Sequence, residues 1–581
     1  MTIMNTINDT FLNALLADAT YVNNLTSNSD LSIRLSTRMT PTIAAYIDQN
    51  FDLVTQFETS EFTGSGFDVT VWRRNTGKLY VSMRGTEPGV DLAIADLDLA
   101  LSGKARFQLV DMVNWWFRET GEPNQPVRQI SVTLAPSPIP PLFVSLVFSE
   151  APPALGTGRI TVADLVAGIE VNGHSLGGYL ATAFTRLFGA QAHVQHTSTF
   201  NSAGFAPGSE SVFQQLQGLI GVGYGLGRFP NASEQSNYFA QHGINLTTNS
   251  LWFSQQGQRV ELFNEESATQ VPNHFMYKLT DALALTNAIS KLDLSLTLAR
   301  ANSLFEAGSN VVAGSLEGVL DGLRRLLVNP GLGALAIGDV SDSAPSRVAY
   351  HQALKTLTES SAFQSLAGKV TISPVIRDLG VQARARVDFQ TIVALETLSP
   401  FVINPVGPDG QTALDALWQS SAWSNTYQAW LADKASLQAG AQAANLTDQY
   451  LTDRAAMLDA LILRNLQNVQ DEVAGGTGMK PVQYQDVRSG IQFQIGLNNP
   501  LGDKPQIRFG GDAADALDGK SLADHLYGGA GTDTLNGLGG ADWLEGNADN
   551  DTLDGGAGDE VSPGTLVHKS PANESNWRVS A

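Results

Sequence analysis

Apolar and polar positions follow two rhythms along the first half of the chain. Over residues 67–74 and 79–84 the pattern fits strands, and Asn75-Thr76-Gly77-Lys78 between them reads as a turn. Residues 107–120 carry apolar positions at helical spacing. A short apolar run at 168–172 predicts a buried strand, 179–188 a helix, and 197–200 a second buried strand. Strands alternating with helices over residues 1–295 predict an α/β domain whose mainly parallel sheet is covered on both faces. From 296 to 480 the rhythm becomes helical. Leu316, Val319, Leu320, Leu323, Leu326 and Leu327 form one stripe; Met457, Leu458, Leu461, Ile462, Leu466 and Val469 form another. Asn329-Pro330-Gly331 and Asn404-Pro405 break this region into shorter pieces. No catalytic constellation stands out in it, and a helical packing domain or lid is expected. Residues 481–509 read as a linker with strands.

A third rhythm has a period of nine. Gly510, Gly519, Gly528, Gly537, Gly546 and Gly555 head successive units over residues 510–560. Asp515, Asp524, Asp533, Asp542 and Asp551 hold the sixth position, and Leu517, Leu526, Leu535, Leu544 and Leu553 the eighth. Glycines permit tight turns that leave carbonyl oxygens outward, each Asp adds a charged oxygen, and each Leu can bury inward from a short strand. Calcium takes six to eight oxygens, which two neighbouring turns can supply. A flexible acidic linker would show no such register. The pattern resembles the nonapeptide repeats of RTX proteins. That resemblance implies a parallel β-roll binding Ca2+ through these five aspartates, and folding outside the cell after one-step export. Gly519-Lys520-Ser521 lacks the later glycines, Glu560 replaces the sixth Asp, and residues 561–581 form a tail with no obvious relation to the repeat.

Charge sharpens this picture. Among 581 residues the net charge is −22, and residues 510–560 hold 12 Asp and Glu against one Lys, half of the total. So acidic a surface repels phosphate backbones, so nucleic acid is not an expected partner. The absence of cysteine excludes disulfides, Cys-ligated zinc and a thiol nucleophile. The first basic side chain is Arg34, so residues 1–22 lack the positive start of a cleaved signal, and no apolar run is long enough to span a membrane. The expectation is a secreted protein without a cleaved N-terminal signal.

The chemistry lies in Gly173-His174-Ser175-Leu176-Gly177-Gly178, a G-x-S-x-G motif between an apolar strand and a helix. In that context the serine hydroxyl stands exposed on a strained turn, and the helix N-terminus offers N–H groups to an oxyanion. Here residues 60–290 resemble class 3 lipases and neighbouring bacterial lipase and phospholipase families. The resemblance extends to Arg84-Gly85-Thr86 at the end of a strand. It implies an α/β-hydrolase fold, with Ser175 as nucleophile and Thr86 and the Leu176 N–H as oxyanion donors. Five of the eight histidines lie between residues 174 and 274. His174 sits inside the elbow, His193 and His196 come too early in chain order, and His242 precedes a predicted strand at 244–248. His274 opens a helix as the catalytic histidine does in many relatives, and is the expected base.

The third triad member is less plain. No aspartate lies between Ser175 and His274. Where the resemblance places the acid, this chain has Asn249. An asparagine can orient an imidazole but cannot stabilise the imidazolium by charge. Glu265, with Glu261 and Glu266 beside it, is the charged alternative; Asn201 is a weaker polar option, and Asp281 lies two helical turns past His274. Asn249 and Glu265 both stay open. The expected activity is that of a calcium-dependent lipase acting on a lipid or ester at an interface. A phospholipase A1 would use the same machinery. A rival reading is an RTX surface or adhesion protein whose hydrolase-like domain is weak.

Overall fold

The computed structural model describes residues 6–25, 30–59, 65–85, 105–136, 144–207, 209–242, 253–265, 274–309, 314–336, 345–375, 380–420, 422–441, 443, 445–466, 481–495 and 503–557. Thr86, Asn249, Glu266, the predicted strand at 244–248 and the tail lie outside these residues. The chain divides into two units. The first takes Met1–Asn287, Thr297–Ala299 and Gly338–Gln352; the second takes Ala288–Leu296, Arg300–Ile337 and Ala353–Ala581.

The first unit is built on strands β1 (Phe51–Glu58), β2 (Asp68–Arg74), β3 (Leu79–Met83), β6 (Ile169–His174), β7 (Val194–Phe200), β8 (Gln235–Ala240) and β9 (Gln258–Leu262). They hydrogen-bond in the order β1-β2-β3-β6-β7-β8-β9. The first three are antiparallel to one another, and β3 to β9 run parallel. Strands β4 (Pro126–Pro136) and β5 (Val144–Leu155) form a separate hairpin.

Alternation along β6 shows why both faces are covered. Ile169 and Val171 join the apolar cluster with Leu180 and Phe184 of helix Leu176–Phe188 and Trp115 and Trp116 of helix Ala105–Thr120. Glu170 and Asn172, on the other face, meet Asn13 of helix Ile7–Ala19, and Lys78 neutralises Glu170 at 2.7 Å. Helix Leu176–Phe188 is buried along its whole length and starts three residues before the periodicity predicts. Its glycines look like turn residues in sequence but serve close packing: a Cβ on Gly177 would collide with the Met83 carbonyl.

The second unit is helical around an aromatic core of Phe389, Trp418, Trp423, Tyr427 and Trp430. The stripe of helix Ser315–Leu327 is buried as expected, as are Met457, Leu458, Leu461 and Ile462 in helix Asp448–Leu466. Leu466, counted in that second stripe, is 51% exposed, and Val469 lies outside the described residues. Strands β10 (Val370–Pro374) and β11 (Phe401–Pro405) pair antiparallel.

The same unit ends in two stacked sheets. One runs β13 (Ile491–Ile495), β12 (Val482–Asp486), β14 (Gln506–Phe509), β16 (His525–Gly529), β18 (Trp543–Asn547). The other runs β15 (Ala516–Asp518), β17 (Thr534–Asn536), β19 (Thr552–Asp554). All pairs from β14 onward are parallel. Successive nine-residue units alternate between the sheets, making a β-roll. Leu517, Leu526, Leu535 and Leu544 are buried together inside it, with Leu553 packed against them.

Candidate active site

Ser175 sits between β6 and helix Leu176–Phe188 with φ 57° and ψ −125°. A side chain with φ in this range is strained, and the strain persists only where surrounding bonds over-determine it. Here the Ser175 N–H donates to the Phe200 carbonyl at 3.0 Å, and its own carbonyl accepts from Gly178 and Ala203 at 3.1 Å each. The Leu176 N–H opens the helix and is not used within it. Gly85 lies across this turn: a Cβ there would be 2.9 Å from the Ser175 Cβ and 3.0 Å from the Leu176 nitrogen. A glycine is needed for that approach. The Arg84-Gly85 backbone thus borders Ser175 and the free helix N–H, with Thr86 next along the chain.

His274 is buried ahead of helix Met276–Leu292. Its ring centre is 4.7 Å from that of His174, the residue before Ser175. Burial lowers the His274 imidazole to about 4, which keeps it neutral and proton-accepting at neutral pH. Its carbonyl accepts from His174 Nε2 at 2.8 Å and Asn201 Nδ2 at 3.0 Å. Its Nδ1 is buried and has no hydrogen-bond partner among the described residues.

The structure does not bring Glu265 to that nitrogen. The Glu265 carboxylate is 2.9 Å from Arg347 Nη2, and Arg347 Nη1 is 3.3 Å from Asp281. Arg347 stands on helix Pro345–Glu359, far along the chain, and a buried carboxylate takes a guanidinium in preference to a neutral imidazole. His351 Nε2 lies 3.0 Å from Asp281, and its Nδ1 meets the Thr40 hydroxyl at 2.9 Å. Burial raises Asp281, but His351, Arg347 and Lys278 outweigh it and hold the carboxyl below its usual range. Asn201 has its own task on the His274 carbonyl. Nothing in local spacing singles out Arg347 or Tyr21, whose hydroxyl meets His174 Nδ1 at 2.6 Å. Their signal is tertiary.

The five repeat aspartates stack in two columns, Asp515, Asp533 and Asp551 in one and Asp524 and Asp542 in the other. Each column has an eighteen-residue step: Asp515 N–H donates to Asp533 Oδ1 at 2.7 Å, and Asp533 N–H to Asp551 Oδ1 at 2.9 Å. Asp524 N–H donates likewise to Asp542 Oδ1 at 2.9 Å. The second oxygens of Asp533 and Asp542 are buried and lack hydrogen-bond partners among the described residues. Burial pushes Asp533 up to about 6, and Asp551, Asp515 and Asp549 add to the rise; burial also raises Asp524 and Asp542. Orphaned carboxylate oxygens crowded by like charge are what a bound cation relieves, so the residues fit calcium. No three acidic or imidazole side chains converge among the described residues, so an ion here must draw on backbone carbonyls as well.

The Lip2 lipase of Yarrowia lipolytica matches at 12% identity over 46% of this chain and 82% of that chain, with a TM-score of 0.23. Its nonglycosylated form matches at 12% identity over 45% and 79%, with a TM-score of 0.22. At such values the likenesses carry no argument; the α/β-hydrolase assignment rests on strand order and the elbow. No curated protein matches the chain. Among the described residues no helix is long and apolar enough to cross a membrane. The family model for the RTX calcium-binding nonapeptide repeat matches residues 509–544 and 536–561. With period, stacking and orphaned carboxylates in agreement, residues 509–561 are RTX repeats that bind Ca2+.

Proposed function

We propose that the chain is an exported serine carboxylic ester hydrolase, a lipase in substrate class, whose C-terminal roll requires calcium. The strained backbone of Ser175 carries this reading. A serine held at φ 57° where a parallel strand turns into a buried helix has no structural need of that residue type. Its hydroxyl attacks the ester carbonyl carbon while His274 takes the proton. The oxyanion is held by the Leu176 N–H and by Thr86. Collapse of the tetrahedral intermediate expels the alcohol, which takes the proton from His274. Water, deprotonated by the same imidazole, then releases the acid and restores Ser175. Asn249 would orient His274 through Nδ1; Glu265, held by Arg347, is the weaker choice. Phospholipase A1 activity would use the same groups.

The lack of any aspartate between Ser175 and His274 favours a second reading, an RTX surface or adhesion protein with a silent hydrolase unit. Release of acid from triglyceride, phosphatidylcholine and short p-nitrophenyl esters separates the two. Activity on any of these that disappears in Ser175→Ala supports the enzyme. Equal turnover by Ser175→Ala removes the nucleophile assignment, and no turnover by the wild type leaves the silent reading.

A further inference from the structure

We infer that Tyr21, His174 and Asn201 form a clamp on the backbone of His274 and act as positioning residues for the base. This rests on the reading of His274 as that base. Two side chains from different strand ends converge on one carbonyl, His174 Nε2 at 2.8 Å and Asn201 Nδ2 at 3.0 Å. A carbonyl only accepts, so His174 carries its proton on Nε2. Burial keeps this imidazole neutral, so Nδ1 is left as an acceptor, and Tyr21 donates to it at 2.6 Å. The His274 carbonyl therefore sets the tautomer, and the Tyr21 hydroxyl completes it from the other side of the ring. The Tyr21 ring is held in turn by guanidinium groups, Arg38 at 4.4 Å and Arg84 at 5.3 Å from its centre. Arg38 is fixed by Asp18 at 2.7 Å and Arg84 by Asp68 at 3.4 Å.

Asn201 is equally determined. Its backbone is left-handed at φ 41°, its N–H donates to the Tyr238 carbonyl at 2.8 Å, and its Oδ1 accepts from the Ala240 N–H at 2.9 Å. With Oδ1 committed as an acceptor, Nδ2 faces the His274 carbonyl as a donor. Since Arg84 also leads into the segment beside Ser175, one connected set of contacts ties the serine turn, the oxyanion strand exit and the base together. A catalytic group displaced by about 1 Å can lose on the order of 10²-fold in rate, so such a clamp acts on kcat.

The test uses the full-length protein with calcium, a soluble ester, and a fluorophosphonate probe that labels an activated serine. Asn201→Ala and His174→Leu should each lower kcat by about 10- to 100-fold with KM changed less than about threefold. Asn201→Asp should be worse than Asn201→Ala, because a carboxylate would face the carbonyl. His174→Gln, which keeps an N–H near the Nε2 position, should recover at least about tenfold over His174→Leu. Tyr21→Phe removes one oxygen and no volume, and should lower kcat by about three- to tenfold even if the buried-polar variants fail to fold. A wild type that takes up no probe overturns the reading of the site and the clamp with it. A labelled wild type alongside a folded Tyr21→Phe, with unchanged kcat and labelling rate, overturns the clamp alone.

Discussion

At residue scale the candidate site trades stability for reactivity. Ser175 makes no side-chain cap for the helix it precedes, so its hydroxyl contributes nothing to offset its φ of 57°. Ser175→Gly should therefore raise stability by about 1 kcal/mol while abolishing ester hydrolysis, as thermal denaturation and an ester assay would check. The base gives a prediction of opposite character. His274, lowered to about 4 by burial, has a folded-state pKa below its unfolded value. Its contribution to stability is present above about 6.5 and lost as the pH falls through about 4. The same protonation removes the base, so the acid limb of kcat/KM should lie near pH 4 to 5. A limb near 6.5 would mean that the imidazole is more solvated than its position implies.

At the scale of elements, legibility followed periodicity. The helix Ala105–Thr120 and the nine-residue register repeat locally, and the elbow is a contiguous motif, so local sequence exposes all three. The start of helix Leu176–Phe188 was hidden because its glycines answer to neighbours distant in sequence, Gly177 to the Met83 carbonyl and Gly178 to the Ser202 side chain. The pairing of Glu265 was hidden because Arg347 lies 82 positions away and leaves no periodic trace. That pairing makes residues 345–352 part of the first unit's stability. Arg347→Met keeps the volume but strips a buried guanidinium from Glu265 and Asp281, and should cost about 3 kcal/mol. Faster hydrogen exchange across helix Met276–Leu292, which carries Asp281, would register the loss; unchanged protection would assign Arg347 a smaller role.

For the whole molecule, half of a net charge of −22 sits in residues 510–560, so calcium dominates the response to solution conditions. Asp533, raised to about 6, binds its proton more tightly when the roll is folded. Without calcium its contribution is present below about 3.9 and lost as the pH rises through about 6, so a chelated roll should be less stable at pH 7.5 than at pH 5. With calcium the order should reverse, and binding at pH 5 should release protons. Circular dichroism and calorimetry at the two pH values, with and without chelator, would detect both signs; a pH-independent apo signal would refute the account. The amides of Asp515, Asp524 and Asp533 are each capped by the carboxylate of the aspartate one coil later. The roll is a one-way zipper: a coil cannot be completed until its successor exists, and trimming the chain from the far end uncaps coils in a fixed order, from Asp533 back to Asp515.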